Sequence, residues 1–403
     1  MPGAIPQSRR VVFLNRFYWP EEPATAQLLT DLAEALAGRG FEVTVITSAS
    51  DPAGVPPRAD HAGVAIQRIR GTRWSHSGLA GKAVDFAAFY LGAIWALLRT
   101  ARRGDCVVAL TDPPLLGVGV WVAARLRGAR VFHWVQDIYP EIAVALTGQR
   151  WLQALRPLRN LAWRRSDGCV TLGTDMAAVL TQAGVPPAKI TVLPNWAPAG
   201  LGLPSATAVA DQRADWLLAG QFVVAYSGNL GRVHDLGPVL DVATTLRDEA
   251  GITFVFIGAG AQRAWLEAQA LQRGLRNVHF QLPQPRAHLA KTLALGDVHL
   301  VTLRPGCESY VFPSKLYGVA AAGRPVIFIG PPGCEVARQV TGGDLGLAFA
   351  RDEIAGIADA LRQLHADPGR VRRLGEAAGE FGRHHAGPAR AAAVWEGLLS
   401  NPA

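Results

Sequence analysis

Short apolar runs alternate with longer segments of helical periodicity along most of the chain. The run RVVFLN is followed by ATAQLLTDLAEALAGRG, in which Leu28, Leu32 and Leu36 recur at helical spacing. The next run, FEVTVIT, is rich in β-branched residues and predicts a strand. Further runs such as CVVALT, RVFHWVQD and GCVTLG continue the series. Strands that alternate with helices predict a parallel, doubly wound α/β sheet.

The alternation pauses once and then restarts. The segment NWAPAGLGLPSATAVADQRAD is rich in Pro, Ala and Gly and predicts a linker. Beyond it, FVVAYSGNL, ITFVFIGAGAQ and RPVIFIG predict strands that end in glycine turns. The pattern therefore predicts two tandem Rossmann-like domains, residues 1–198 and 199–387, with a cleft between them. The apolar positions of RAAAVWEGLL predict a last helix within 388–403, which we expect to pack back on the first domain.

The composition is that of a folded protein with an anionic partner. The 403 residues exceed one ordinary core, and 49% of them are hydrophobic against 18% charged. A formal net charge of +8 suits a phosphorylated substrate or an anionic membrane surface. The arginines are scattered and no zinc-finger spacing occurs, so we expect no nucleic-acid partner.

The cysteines and the first residues bear on the compartment. The four cysteines lie far apart without a CxxC pair, which predicts reduced thiols and no metal site. The first ten residues, MPGAIPQSRR, lack an apolar segment, so we expect no signal peptide and a cytoplasmic location.

The longest apolar run, FAAFYLGAIWALL, covers residues 86–98 and is followed by the basic RTARR. It is shorter than the roughly 20 residues that span a bilayer. One interpretation is a buried helix. The other is a helix that rests on an anionic leaflet through the apolar and basic segment 86–103, with Phe89 and Trp95 as membrane contacts.

Glycine-rich turns mark two strand–helix junctions of the second half. YSGNLGRVHDLG carries Gly228 and, a few residues on, Arg232, while FIGAGAQ carries Gly258 and Gly260. Ligands of doubly wound sheets bind at the carboxyl ends of the strands, and glycine lets backbone amides approach an anion closely. A single GxG turn also occurs for steric reasons alone, so the pair of loops is the stronger signal.

A third junction, CESYVFPSKL, predicts a charged end of a helix. Ser314 is the expected N-cap, and Lys315 then lies where the helix dipole disfavours a cation. A bound phosphate would explain this local conflict. The alternative is a surface lysine without a ligand.

Together these motifs resemble the donor domain of GT-B glycosyltransferases, and more narrowly the retaining nucleotide-sugar enzymes of family four. The resemblance is carried by the glycine loop, the IGAG turn and the order Glu, PSKL, GRPV. The first half agrees, because PEEPATAQLLTDLAEALAGRGFEVTVIT, HWVQDIYPEIAVALTGQR and LPN are similar to bacterial enzymes of O-antigen, capsule and colanic-acid synthesis. The resemblance covers nearly the whole chain.

The resemblance implies two glutamates eight positions apart, and this chain departs from that pattern. The expected positions fall on Tyr310 and Gly318, while the nearest carboxylate, Glu308, comes two residues early. We expect a two-residue insertion that lets Glu308 contact the sugar. The contact with the ribose stays open at Gly318.

The resemblance also implies a diphosphate site. The family's two basic residues align with Asn229 and His234, so Arg232 and Lys315 are the expected diphosphate ligands. We assign Asp137, Glu308, Lys315 and Arg232 to catalysis. The expected donor-binding residues are Gly228, Asn229, His234, Gly258, Gly260, Leu282, Pro283, Gln284, Tyr310, Pro313, Ser314 and Leu316.

The acceptor is expected on the first domain. Asp137 follows a strand and is expected to orient the acceptor hydroxyl, or else to form an Asx turn or helix cap. Glu141 and His133 lie close to it in sequence, and Pro23 and Thr25 border the loop before the first helix. No DxD motif occurs, which favours an enzyme without metal or other cofactor, in which basic groups and helix dipoles stabilise the departing nucleoside diphosphate.

The leading interpretation is a hexosyltransferase of cell-surface polysaccharide biosynthesis, peripheral on the inner face of the plasma membrane. It would move a sugar from a UDP- or GDP-linked donor to a polyprenyl-linked saccharide, and the resemblance implies retention at the anomeric carbon. One alternative is a UDP-sugar 2-epimerase of the same fold, which the apolar segment at 86–98 disfavours. The other is a non-catalytic GT-B scaffold subunit, which the missing second glutamate favours.

Overall fold

The chain forms two compact α/β units in the computed structural model. The first comprises Met1–Pro194 and Pro388–Ala403, and the second Asn195–Gly387. The residues that the structure describes are 9–49, 56–70, 78–198, 201–202, 204–385 and 387–400.

The first unit is built on an eight-stranded sheet with the order β3-β4-β2-β1-β5-β6-β7-β8. All neighbouring pairs are parallel except β3 and β4, which form an antiparallel pair at one edge. The strands are β1 Arg10–Leu14, β2 Glu42–Ala49, β3 Arg58–His61, β4 Val64–Arg70, β5 Cys106–Ala109, β6 Arg130–Val135, β7 Gly168–Thr171 and β8 Ile190–Val192. The helices that connect them are α1 Ala24–Ala37, α2 Gly78–Thr100, α3 Leu116–Leu126, α4 Glu141–Thr147, α5 Arg156–Arg165 and α6 Thr174–Gln182, with 3-10 turns at Arg150–Leu155 and Pro187–Lys189.

The second unit is built on a six-stranded, all-parallel sheet with the order β11-β10-β9-β12-β13-β14. Its strands are β9 Phe222–Ser227, β10 Ile252–Ile257, β11 Val278–Gln281, β12 Val298–Thr302, β13 Val326–Ile329 and β14 Gly346–Phe349. Its helices are α7 Ala206–Asp215, α8 Gly237–Thr245, α9 Arg263–Gln272, α10 Leu289–Ala294, α11 Lys315–Ala321, α12 Glu335–Gly342, α13 Ile354–Ala366 and α14 Pro368–His385, with a 3-10 turn at Arg286–His288.

The central strands are buried along their whole length. Every residue of β9, β10, β12 and β13 is buried, and so is every residue of β5 and β7. A parallel sheet covered by helices on both faces requires such continuous apolar runs, which explains why these strands were visible in the sequence. The prediction of two Rossmann-like domains with parallel sheets is confirmed.

The last helix, α15 Pro388–Ser400, packs within the first unit. Its Trp395 is fully buried and meets the rings of Phe13 and Trp134 edge-on, at centroid distances of 6.3 and 5.7 Å. The guanidinium of Arg130 also donates a 2.9 Å hydrogen bond to the carbonyl of Leu399. The end of the chain is therefore part of the core of this unit.

One local prediction was wrong and another was right in part. The segment interpreted as a linker contains α7, whose N-cap Ser205 accepts a hydrogen bond from the backbone of Ala208 at 3.2 Å. Ser314 occupies the N-cap position of α11 as predicted, but it has helical backbone angles and its side chain forms no capping hydrogen bond.

The apolar run at 86–98 lies within α2. Phe89 is buried in the core of the first unit with 2% exposure, whereas Trp95 is 57% exposed. Phe89 is therefore a packing residue and its assignment as a membrane contact was wrong. Across the described part of the chain, no helix combines the length and the hydropathy needed to cross a membrane.

Candidate active site

Two glycine loops of the second unit lock together at the carboxyl ends of β9 and β10. The backbone amide of Leu230 donates to the carbonyl of Ala259 at 2.8 Å. The side chain of Gln262 donates to the carbonyls of Gly231 and His234 at 2.6 and 2.9 Å. These bonds hold both loops in one conformation.

Glycine is required at two positions of this arrangement. Gly258 has φ +148°, and a Cβ there would overlap the carbonyl oxygen of Gly228. Gly260 has φ +152°, and a Cβ there would lie 2.5 Å from the carbonyl carbon of Leu230. The close approach of the two backbones, rather than turn geometry alone, thus selects glycine.

Lys315 extends from the start of α11 to the first of these loops. Its Nζ lies 3.5 Å from the centroid of the Tyr226 ring, and a Cβ on Gly228 would stand 3.6 Å from that nitrogen. The Nζ atom is buried and has no hydrogen-bond partner among the described residues. Burial lowers the pKa of the Lys315 ammonium well below its ordinary value. A bound anion would supply the missing partner.

Two neighbours of Lys315 are uncharged. Tyr226 is buried at the end of β9 and donates from its hydroxyl to the carbonyl of Asn229 at 2.9 Å. The imidazole of His234 hydrogen-bonds through Nδ1 to the carbonyl of Thr302 at 2.8 Å. Burial, and secondarily the charge of Lys315, lowers the pKa of His234 to about 3. His234 is therefore neutral at physiological pH and does not supply a second positive charge.

Two further polar atoms in this part of the second unit lack partners. The Oε2 atom of Glu308 and the hydroxyl of Ser227 are buried, and neither forms a hydrogen bond within the described chain. Buried polar groups nearly always have a hydrogen-bond partner in native structures, so these two atoms indicate a position for a ligand or a water molecule.

The other residues assigned to the donor have varied surroundings. Arg232 is exposed, and its backbone carbonyl accepts a 2.9 Å hydrogen bond from Arg304. Its guanidinium has no ion-pair partner within the part of the chain that the structure describes. Leu316 is fully buried, so its side chain serves packing and does not reach a ligand. Tyr310 is half-buried beside Glu308, and Pro313 is buried just before α11.

The loop after β11 is open to solvent. Leu282 is 68% exposed and Pro283 is exposed as well. Gln284 folds its side-chain amide back onto the carbonyl of Leu282 at 3.0 Å.

In the first unit, Asp137 lies at the carboxyl end of β6. Its backbone amide donates to the hydroxyl of Thr111 at 3.1 Å. Burial, and then the charge of Asp112, raises the pKa of Asp137 to about 7. Burial likewise raises the pKa of Asp112 to about 6, against the opposing charge of Arg16. Asp112 had not been identified from the sequence.

His133 lies on β6 beneath this edge. Its Nε2 has no hydrogen-bond partner among the described residues, and burial lowers its pKa to about 4. A Cβ on Gly117 of α3 would lie 2.5 Å from the ring, so that glycine provides the space for the imidazole. A cavity of 30 Å³ lined by His133, Asp137, Tyr139 and Arg159 has room for about one water molecule.

Glu141 is paired with two arginines. Its buried carboxylate accepts hydrogen bonds from Arg156 at 2.7 Å and from both terminal nitrogens of Arg159. Two arginines from α5 thus hold this carboxylate at the start of α4, and its place on the acceptor side stays a prediction. Pro23 and Thr25 lie at the start of α1, where the carbonyl of Pro23 accepts from the amide of Ala26 at 2.9 Å.

Sequence reasoning missed Tyr226 and Asp112. Tyr226 is the last aromatic of an apolar strand and resembles core, while Asp112 precedes a proline and resembles a turn. Their position at strand ends was the available signal. Within the described residues, no three His, Cys, Asp or Glu side chains are grouped to hold a metal ion.

Each of the two units matches a family of glycosyl transferases. Residues 25–196 match the family described as Glycosyl transferase 4-like domain, and residues 209–381 match Glycosyl transferases group 1.

Two bacterial proteins are similar over most of the chain. The putative colanic acid biosynthesis glycosyl transferase WcaI of Escherichia coli (strain K12) is 26% identical over 324 residues, 76% of this chain and 79% of WcaI. The probable glycosyltransferase WbjE of Pseudomonas aeruginosa is 28% identical over 328 residues, 79% of each chain.

Solved structures share the fold. HepE of Anabaena in complex with UDP-glucose superimposes with a TM-score of 0.74 at 17% identity, covering 97% of this chain and 99% of HepE. WaaG, a glycosyltransferase involved in lipopolysaccharide biosynthesis, superimposes with a TM-score of 0.71 at 16% identity, covering 95% of this chain and 99% of WaaG.

Proposed function

The chain belongs to the two-domain GT-B glycosyltransferases, and from that premise we propose that it transfers a hexosyl group from a nucleoside diphosphate sugar to a polyprenyl-linked saccharide. The reaction would serve cell-surface polysaccharide biosynthesis. WcaI, named for colanic acid biosynthesis, and WaaG, named for lipopolysaccharide biosynthesis, support this assignment.

The observation that carries the donor assignment is the buried, unpartnered ammonium of Lys315 beside the interlocked glycine loops. An isolated buried cation is costly, and the cost is offset when an anion binds. A diphosphate fits because it can take the Lys315 charge and the loop amides together. UDP is the favoured nucleotide, since HepE, which shares the fold, has been crystallised with UDP-glucose.

Glu308 is proposed as the sugar ligand. Its Oε2 has no donor among the described residues, and a sugar hydroxyl would supply one. Arg232, exposed on the glycine loop between β9 and α8, is proposed to fold onto the diphosphate when the donor is present.

The acceptor side is proposed to be the first unit, with α2 on the membrane. Val84, Leu91, Trp95 and Arg99 are all exposed and recur at spacings of seven and four, so they share one face of the helix. The Arg99 guanidinium lies 4.4 Å from the Trp95 ring centroid. An apolar face with a cation at its end suits the inner, anionic leaflet of the plasma membrane.

Two features of the reaction are proposed on the resemblance to family four. The sugar is transferred with retention at the anomeric carbon. The departing diphosphate is stabilised by Lys315, Arg232 and the loop amides, without a metal ion or other cofactor.

The test is a turnover assay with a panel of UDP- and GDP-sugars and a polyprenyl diphosphate saccharide in vesicles. We expect transfer to the lipid, unchanged by EDTA, and NMR of the product should show the anomeric configuration of the donor. A donor that is epimerised without an acceptor would instead establish a UDP-sugar 2-epimerase. No turnover with any pair would favour a scaffold subunit.

A further inference from the structure

A large groove of the second unit lies at the edge of its sheet opposite the glycine loops. It is lined by Phe222, the first residue of β9, and by Asp297 and Pro325, which directly precede β12 and β13. Helices α7, α13 and α14 form its walls, and every described residue that lines it belongs to the second unit. Its volume is about 1070 Å³, and pockets for small ligands occupy roughly 300–1,000 Å³. Because the glycine loops follow the carboxyl ends of β9 and β10, this groove is separate from the candidate donor site.

Two arginines meet in this groove at the end of α10. The Nη2 atom of Arg324 donates to the carbonyl of Ala294, the last residue of the helix, at 2.6 Å. Arg213 donates to the next carbonyl, that of Leu295, from Nε at 3.0 Å and from Nη2 at 2.6 Å. Both guanidinium groups therefore lie at the carboxyl end of a helix, a position that suits cations.

Arg213 has further partners, whereas Arg324 keeps unused donors. The Nη2 atom of Arg213 lies 2.9 Å from Oδ2 of Asp297, and the same oxygen accepts from the amide of Val223 at 2.7 Å. In Arg324 only Nη2 has a hydrogen-bond partner among the described residues, and the buried Nε has none. Buried donors nearly always have a partner in native structures, so the guanidinium of Arg324 has capacity for a further acceptor.

Helix α14 brings a third guanidinium to the same place. A Cβ added at Gly379 would lie 3.4 Å from Nη1 of Arg383 and 3.6 Å from the Cα of Gly323. The Arg383 guanidinium thus lies beside the loop that carries Arg324, and within the described part of the chain it has no hydrogen bond or ion pair. In total, the described lining of the groove holds four arginines, Arg213, Arg324, Arg372 and Arg383, and two carboxylates, Asp297 and Glu376.

The rest of the lining includes apolar and aromatic side chains. Phe222, Pro325 and Leu364 are buried along the groove. The exposed ring of His365 packs against Phe222 at a centroid distance of 5.4 Å. The groove therefore offers an organic group a surface beside the arginines, as ligand pockets generally do.

We propose that this groove binds a small organic molecule that carries a phosphate monoester. The proposal does not rest on the glycosyl transfer proposed above, because the groove and the candidate donor site lie at opposite edges of the sheet. The planar donor fork of arginine matches the oxygens of a phosphate group. A phosphate monoester carries between one and two negative charges near pH 7, which suits a lining with more arginines than carboxylates.

The proposal is tested by calorimetric titration of phenyl phosphate into the full-length protein at pH 7. We expect binding to the native protein, weakened at least about threefold in R383Q and at least about tenfold in R372Q/R383Q, since charge-assisted contacts are lost. R373Q is the matched control, because Arg373 is an exposed residue of α14 outside the groove. Native protein that does not bind phenyl phosphate, or equal weakening in R383Q and R373Q, overturns the proposal.

A second comparison separates this groove from the donor site. K315M removes the lysine beside the glycine loops and should bind phenyl phosphate like the native protein. In NMR spectra, the Nε–Hε signal of Arg324, assigned by its absence in R324K, should shift along the same titration. Binding that is lost in K315M and unchanged in R372Q/R383Q places the phosphate at the glycine loops and overturns the proposal.

Phosphate monoesters occur both in soluble metabolites and in the headgroup of phosphatidic acid. Vesicles of phosphatidic acid, compared with vesicles of phosphatidylglycerol at equal charge, distinguish the two sources. If only phosphatidic acid displaces phenyl phosphate from the native protein, the groove takes a lipid headgroup. If neither lipid displaces it, the groove takes a soluble phosphate. Both results support the site, whereas equal displacement by the two lipids shows a response to surface charge alone and contradicts recognition of a monoester.

Discussion

Lys315 is the residue whose chemistry most needs a ligand. Among the described residues its ammonium has no hydrogen-bond partner, and the ring of Tyr226, 3.5 Å from Nζ to centroid, offsets part of the cost of burying it. Side chains that carry function often lower stability in the free protein. Lys315 fits this relation, because its native pKa is depressed and folding therefore disfavours the charged form.

A stability measurement tests this statement. K315M removes the buried charge at similar volume, and we expect it to raise the Tm of the free protein by roughly 2–4 °C at pH 7. Because the pKa of Lys315 in the folded state lies below that in the unfolded state, the gain in stability should be largest at low pH, should shrink as the pH rises through the folded-state pKa, and should vanish above the ordinary lysine value near 10. A lower Tm for K315M would mean that the ammonium has a stabilising partner in the free protein.

At the same scale, sequence reasoning located Lys315 and Glu308 but not their surroundings. A lysine beside a helix start conflicts with the helix dipole, and this conflict can be recognised from the sequence alone. The burial of a side chain cannot be recognised in this way, so Leu316 was assigned to donor binding although its side chain is in the core. The ion pairs of Glu141 could not be predicted for a similar reason, since its partners Arg156 and Arg159 come 15 and 18 residues later.

At the scale of elements, strands with continuous apolar runs were predictable and polar strands were not. Apolar runs identify β9 and β10, whereas β3, with the sequence RADH, and its neighbour β4, with VAIQRIR, carry no such signal. α7 was hidden because its sequence, ATAVADQRAD, has weak amphipathicity and follows a proline-rich stretch.

The contact between the two glycine loops leads to a prediction about stability and UDP binding. G258A combines positive φ with overlap onto the Gly228 carbonyl, so we expect it to lower the Tm and to weaken UDP binding at least about tenfold. G274A is the control, since Gly274 also has positive φ, +64°, but no atom lies within 4 Å of its added Cβ. Equal effects on UDP binding from the two variants would contradict the interlocked arrangement.

The exposed face of α2 leads to a prediction about membrane binding. The double variant L91S/W95S removes two exposed apolar side chains and should reduce cosedimentation with anionic vesicles at least about tenfold in partition coefficient. W265S/L271S makes the same change on exposed positions of α9 and should leave binding unaltered. Phe89 must stay untouched, because it is core. Equal pelleting of both variants would refute a membrane role for α2.

At the scale of the whole molecule, the fold follows from the order of the strands and helices along the chain. The two repeats of strand and helix predicted two parallel sheets, and both are present, with α15 returning to the core of the first unit. What the sequence left open is which polar groups of each unit are unsatisfied, because that depends on side chains brought together from distant segments. Lys315 and Tyr226, 89 residues apart in the numbering of the chain, meet only in the folded unit.

The most direct test of the central claim is calorimetric titration of UDP, with GDP in parallel, into the native protein and two lysine variants at pH 7. The account predicts that native protein and K291M, which alters a lysine of α10, bind alike. K315M should bind about ten- to a hundredfold more weakly, the loss expected for one charge-assisted contact. Native protein that binds neither nucleotide, or K315M that binds as tightly as the native chain, would contradict it.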